Sequence, residues 1–423
     1  MQQQSDTDGD EEVGRDADDR EPAVYDAVTV GGGLAGAALA RRLATAGARV
    51  LVLEKERLFR DRVRGEVLVP WGCAEARELG LFDLLDEGCG HELRFWDVFF
   101  DGMQLAHRDL IETTPMQMGV MTFFHPEMQQ LVLDAAAEAG ADVLRGATVT
   151  GIEPGDPPRV AFSADGETHE VFARLVVGAD GRNSAVRRWA GFAVERDPQR
   201  RFFAGVLLDG VGSPEDAMQS RFAPSRGLIS YLFPQGGGRC RAYVGYHAAS
   251  DFEALSGAGD VPRFLATQRE LAVPDEYLQG ATAAGPLATF DATETWVEEP
   301  YRDGIALIGD AASTSDPTWG QGMSVAMRDV RVLGDLLAAD ESADTAGRAY
   351  AEARRAYHSA LHRCDNWYTD LFLDIGAEAD ERRSRALPLI AQDMTRVPDA
   401  PISGPELPSD EATRQRFFGE IEA

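Results

Sequence analysis

Val24-Tyr25-Asp26-Ala27-Val28-Thr29-Val30-Gly31-Gly32-Gly33-Leu34-Ala35-Gly36 is the stretch on which the fold turns. It opens as a β-branched, apolar run of strand length and stops at three consecutive glycines. Beyond them Leu34, Ala38, Leu39 and Leu43 recur at helical spacing up to Gly47, and Arg49-Val50-Leu51-Val52-Leu53-Glu54 reads as a second strand buried on both faces. Strand, tight turn, helix and strand within about 30 residues make a βαβ unit, whose crossover is right-handed. The glycines fit GxGxxG at Gly31, Gly33 and Gly36. The first makes the turn, the second lets backbone approach a pyrophosphate, and the third lets helix pack on strand. Leu34 and Ala35 open that helix, whose free N–H groups and positive end suit the same phosphates. Glu54, 18 residues after Gly36 and followed by Lys55, stands where an acid accepts hydrogen bonds from ribose hydroxyls.

Outward from this unit, a second helix–strand pattern runs from Pro126 through Leu131 and Ala136 to Asp142-Val143-Leu144. Strands at 147–153, 159–163 and 173–178 follow. From 201 to 289 the texture changes to alternating, antiparallel-looking segments such as Gly227-Leu228-Ile229-Ser230-Tyr231-Leu232-Phe233. A buried strand returns at Gly304–Ile308, a helix follows to about 338, and helical pattern resumes over 346–375. The stretch 396–410, with Pro398, Pro401, Pro405 and Pro408, reads as an irregular linker. The expected organisation is an acidic, disordered tail at 1–23, a discontinuous Rossmann-like α/β domain at 24–200 and 290–340, an inserted mostly antiparallel sheet at 201–289, and a helical C-terminal segment at 341–423.

Composition bounds the function. The 423 residues carry 71 acidic and 41 basic side chains, a formal charge of −30, which disfavours nucleic acid and stable membrane attachment. Lys55 is the only lysine, and either salt adaptation or arginine-rich codon usage accounts for that. No window is apolar for long enough to span a bilayer, and the start has no signal-peptide pattern, so the expectation is a cytoplasmic protein. Cys73, Cys89, Cys240 and Cys364 form no CxxC pair and no ligand spacing with histidine. They read as reduced core residues, and no metal site is expected. No motif specifies an oligomeric state.

Two further segments place an aspartate at the carboxyl end of a strand, where open α/β sheets bind ligands. They are Gly178-Ala179-Asp180-Gly181-Arg182-Asn183-Ser184-Ala185-Val186-Arg187, and Gly309-Asp310-Ala311-Ala312 with Asp316-Pro317-Thr318-Trp319-Gly320-Gln321-Gly322-Met323. With the GxGxxG turn they occur in an order that resembles the FAD-dependent monooxygenases of the p-hydroxybenzoate hydroxylase type, over about 24–340. The resemblance implies non-covalent FAD, with Gly31, Gly33 and Gly36 at the pyrophosphate and Glu54 at the adenosine ribose. It also implies Asp180 and Asp310 near the cofactor, and Gly320, Gln321, Gly322 and Met323 offering backbone N–H groups to the flavin pyrimidine. Arg64, in Arg62-Val63-Arg64-Gly65-Glu66, becomes a candidate FAD contact, a solvated charge run being the alternative. His125 stands at a helix start where relatives often carry an arginine; a structural histidine is the alternative.

The activity implied is oxygenation of a small aromatic or polyketide-like substrate with NADPH or NADH and O2, through a flavin C4a-hydroperoxide. Two departures bear on the substrate: Ser313 stands where many phenol hydroxylases have histidine, and Trp319 puts a bulky ring after Pro317. Trp319 leans over the flavin, walls the substrate pocket or simply packs in its loop. Pro317 and Trp319 are expected at the floor of a closed pocket under the 201–289 sheet. Tyr231, Tyr246, His247 and Arg221 lie on that sheet without an assigned role. A halogenase is disfavoured, because Lys55 sits beside the ribose acid and no Trp-x-Trp occurs. A geranylgeranyl-reductase-type enzyme saturating an alkene is the alternative, on the partial resemblance of Ile229-Ser230-Tyr231-Leu232-Phe233-Pro234-Gln235-Gly236 to a YxWxFPxG signature whose leading aromatics Ile229 and Tyr231 replace. A flavin-binding sensor ranks below both.

Overall fold

The run Val24–Val30 becomes the central strand of a sheet ordered Tyr301–Arg302, Ile305–Leu307, Glu167–Gly178, Val24–Val30, Val50–Glu54 and Asp142–Arg145. The computed structural model describes residues 24–63, 65–339 and 342–421, so the acidic stretch 1–23 and Arg64 lie outside the described residues. Neighbours from Ile305–Leu307 to Asp142–Arg145 pair in parallel, and Tyr301–Arg302 closes one edge antiparallel. A parallel sheet covered on both faces needs apolar side chains on both sides of each strand. Val28, Val52, Val176 and Ile305 meet that need, each fully buried. The helices Leu34–Thr45, His125–Glu138 and Gly322–Ala338 share one core on one face. Ala37, Ala38 and Ala40 have no bulk to hold the helices apart, and Leu39 fills the space between them.

The second large sheet is ordered Thr282–Ala283, Arg201–Asp209, Cys240–His247, Leu228–Pro234, Ala217–Ala223, Phe95–Phe100 and Met103–Asp109, with Ala288–Asp291 also pairing on Arg201–Asp209. The expected limits of 201–289 are therefore too narrow. The hairpin Phe95–Asp109 belongs to this sheet, because Ala217–Ala223 offers a free edge on which Phe95–Phe100 pairs in parallel.

The C-terminal boundary also shifts. Helix Ala343–Phe372 packs on Gly322–Ala338, and Arg354 pairs with Asp329 at 3.1 Å where neither side chain reaches solvent appreciably. Asp329 accepts in addition from the Gly309 N–H at 2.8 Å and from the Tyr357 hydroxyl. This helix is an integral part of the α/β domain, not an appendage starting at 341. Nor is 396–410 a free linker: Ala400, Pro401 and Ile402 are buried, and Trp71 donates through Nε1 to the Pro401 carbonyl at 3.2 Å.

Candidate active site

Gly31 holds φ +105°, and a Cβ there would lie 2.4 Å from the Ala179 carbonyl oxygen. At Gly36 a Cβ would lie 1.9 Å from the Gly31 oxygen, so helix and turn touch backbone to backbone. Gly33 differs: a Cβ would meet only Gln129 Nε2, at 3.3 Å. Protein thus fills the space beside the first and third glycines and leaves it open at the second, which is the cradle a pyrophosphate requires. Glu54 is buried, with Oε2 accepting from Gly32 N–H and Oε1 from Glu56 N–H, both at 2.7 Å. These bonds lock the carboxylate at the strand end. Leu34 is buried and Ala35 half-buried behind it, while Lys55 points to solvent.

Across the sheet, Asp180 Oδ2 accepts from Ala185 and Val186 N–H at 2.6 and 3.2 Å, so one oxygen caps helix Ala185–Trp189. Its Oδ1 is buried with no protein partner. Asp310 is exposed at the end of its strand. It and Asp180 both act electrostatically on Arg187, whose guanidinium burial pushes its pKa below the usual range against their pull. Ser313 is buried and receives a 2.7 Å bond from Arg354, so the position where histidine was expected is engaged by the C-terminal helix.

His125 begins its helix with Nδ1 2.6 Å from the Gly65 carbonyl, to which it donates. Burial pushes its pKa down to about 4 despite that bond, so the ring is neutral. Beside it lies a buried ionic group joining the sheets: Arg241 contacts Asp61 at 2.8 Å and Glu66 at 3.2 Å, and Tyr243 donates to Glu66. Burial raises the Glu66 carboxyl above its ordinary range, with Arg241 opposing.

The turn Pro317–Trp319 is built by Asp316, whose carboxylate accepts from Thr318 N–H at 2.9 Å and pairs with buried Arg201. Gly320 closes it at φ +68°, and Gly322–Ala338 starts immediately after, with no acidic residue in its first turn to compete for an anion. Gln321 donates to Asp365 at 2.6 Å, and its Oε1 is buried without a partner. Burial, then the charges of Glu294 and Asp316, raise the Asp365 carboxyl well above its ordinary range. Met323 packs below, into the core of the α/β domain.

Against this turn lies a mostly apolar pocket, lined on one side by Val67, Val69, Thr318, Trp319 and Gly320. The second sheet supplies Trp96, Met218, Ser220, Tyr231 and Phe233, and the C-terminal region adds Tyr368, Pro401 and Ile402. Trp319 walls this pocket, stacked on Phe222 and edge-on to Tyr368. Pro317 does not line it; it starts the turn that carries Trp319. Tyr231 donates to the Thr318 carbonyl at 2.7 Å, which ties sheet to turn. Tyr368 lies in a stretch read as helical but given no role, while Pro401 and Ile402 were missed because 396–410 looked irregular. The buried apolar side chains interspersed among its prolines were the signal.

A dinucleotide-binding α/β domain joined to a second sheet, with a pocket where they meet, defines a flavin-dependent oxidoreductase. The chain belongs to the family described as FAD binding domain, whose model matches residues 24–364. It is 30% identical over 320 residues to digeranylgeranylglycerophospholipid reductase 1 of Methanococcoides burtonii, covering 72% of each chain. It is also 30% identical over 343 residues to rifampicin monooxygenase of Streptomyces venezuelae, covering 80% of this chain and 68% of that one. In fold it is similar to p-nitrophenol 4-monooxygenase of Pseudomonas putida, at a TM-score of 0.73 and 19% identity over 88% of this chain and 95% of that one. The protein is an FAD-dependent enzyme of the flavin monooxygenase family. No helix among the described residues is long and apolar enough to cross a membrane.

Proposed function

We propose that this chain hydroxylates a small, uncharged organic substrate of aromatic or polyketide type, taking electrons from NADPH or NADH and the oxygen atom from O2. The observation that carries this reading is the pocket against Thr318–Gly320, whose lining is mostly apolar and aromatic and holds no charged side chain. A carboxylate or ammonium in the substrate would find no counter-charge there and would bear its full desolvation cost. When bound, FAD supplies the redox and oxygen chemistry.

The chain's own residues would do the rest. Gly31, Gly33 and Gly36 would receive the pyrophosphate and Glu54 the ribose, with the unpartnered Oδ1 of Asp180 and Oε1 of Gln321 available to the cofactor. Backbone N–H groups from Gly320 to Met323, at the positive end of a 17-residue helix, favour negative charge beside the pocket. The titratable side chains of the lining are Tyr231 and Tyr368, whose phenols burial raises well above their ordinary pKa. Neither serves as a base near neutrality. Trp319 Nε1 is a buried donor with no protein partner, so it would hold a carbonyl, ether or hydroxyl oxygen of the substrate. Water exclusion falls to Trp96, Phe233 and Tyr368.

The identity with the archaeal reductase supports a second reading, saturation of an alkene without oxygen. The test between them is NAD(P)H consumption by the holoprotein with uncharged aromatic or polyketide compounds added. A true substrate accelerates consumption in air and yields a hydroxylated product. Acceleration by prenyl-chain alkenes alone would overturn the first reading.

A further inference from the structure

Where the chain enters and leaves the second sheet, the two crossing segments meet helix Ala343–Phe372. Asp197 follows strand Glu195–Arg196, Glu294 precedes Thr295–Trp296, and His358 and His362 lie one turn apart on the helix. Asp197, Glu294 and His362 each offer a ligand atom, and these atoms all lie within 4.8 Å of one another. His362 Nε2 is 2.8 Å from Asp197 Oδ2, and His358 Nε2 is 3.2 Å from Glu294 Oε1. The His358 contact is close but lacks hydrogen-bond geometry, leaving Nε2 of a ring only 7% exposed without a hydrogen-bond partner and aimed at a carboxylate.

Among the described residues, no arginine forms a direct ion pair with Asp197 or Glu294, although the charge of Asp197 acts on nearby Arg200. Arg201 is engaged by Asp316, and Arg200 by Asp370 and Asp374. Among the described residues, the two histidines are the only basic groups within ion-pair distance of Asp197 and Glu294. One imidazole, with two carboxylates converging on it, forms a three-membered nitrogen–oxygen ligand set that leaves one position of a four-coordinate divalent ion to water, and His358 stands one turn away beside Glu294.

We propose that Asp197, Glu294 and His362 bind one structural divalent metal ion of the Zn2+ type, separate from the flavin site. Such an ion would neutralise both carboxylates and clamp the two crossing segments to the C-terminal helix. Glu294 Oε2 also accepts from Asp316 N–H at 3.4 Å, so the clamp reaches the residue that shapes the Pro317–Trp319 turn.

The test uses full-length holoprotein without a polyhistidine tag, dialysed against chelator and titrated with Zn2+ or Co2+ alone. The expected results are one saturable equivalent per chain and, with Co2+, the visible bands of a tetrahedral nitrogen–oxygen site. His362→Gln should lose most of this binding while flavin absorbance is retained. His107→Gln, outside the cluster, should leave it unchanged. No saturable binding in the unaltered protein, or equal affinity in the His362 variant, would reduce the cluster to two histidine–carboxylate ion pairs and overturn the site.

Discussion

The two halves of the active site are built on opposite plans. The glycine turn and Glu54 lie within 24 consecutive residues, and the contacts that shape them come from the βαβ unit and the strand beside it, with only Gln129 and Leu133 of helix His125–Glu138 added. The pocket draws its lining from seven separate stretches, from Val67 to Ile402, held by long-range bonds such as Tyr231 to Thr318 and Trp71 to Pro401. A locally built site fails or survives as a unit. A distributed one is tuned residue by residue, and its substrate can change while its cofactor does not.

That contrast breaks most sharply at the glycines. Gly36→Val should yield protein without flavin and without a stable fold, since its Cβ would overlap the Gly31 carbonyl. Gly33→Ala should fold, because only a flexible glutamine end lies nearby, yet lose most bound FAD. Flavin absorbance per chain and circular dichroism separate the two, and full flavin in Gly33→Ala would move the pyrophosphate elsewhere. Next in size, Asp329→Ala leaves Arg354 buried without its ion and should cost about 3–5 kcal/mol, read by denaturant unfolding. A loss under 1 kcal/mol would detach the C-terminal helix from the α/β domain's stability.

His125 sets a pH dependence. Its folded pKa of about 4 lies below the ordinary 6.5, so the unfolded chain takes the proton first. The stability it contributes is complete above pH 6.5 and is lost as pH falls from there to about 4. In melting curves across that window, His125→Asn should fall less steeply than the unaltered protein; parallel curves would contradict a neutral, buried ring. The smallest effect belongs to the pocket. Trp319→Phe keeps a ring but removes the donor, a change of about 0.5–1.5 kcal/mol, hence up to about tenfold in KM with melting and flavin content unchanged. An unchanged KM would remove Trp319 from substrate binding.

What the sequence revealed follows the same divide. The parallel sheet, the glycine cradle, Glu54 and the carrier loop of Trp319 were legible because each is a contiguous pattern with a steric reason. The Phe95–Asp109 hairpin was missed because which sheet an edge strand joins depends on a partner more than 100 residues away, Ala217–Ala223. Asp180 was read as a cofactor contact, but one of its oxygens goes to a helix N-terminus, a choice that spacing cannot reveal. His358 and His362 were passed over because their carboxylate partners enter from strands far upstream.

The central claim is that the pocket beside Thr318–Gly320 serves oxygen transfer. Its most direct test is turnover of a substrate that stimulates NAD(P)H oxidation, under isotopically labelled oxygen gas and under strict anaerobiosis, with the product analysed by mass. One labelled oxygen atom in each product molecule, and no product without oxygen, is the predicted result. An unlabelled product formed anaerobically, with a carbon–carbon double bond saturated, would contradict it.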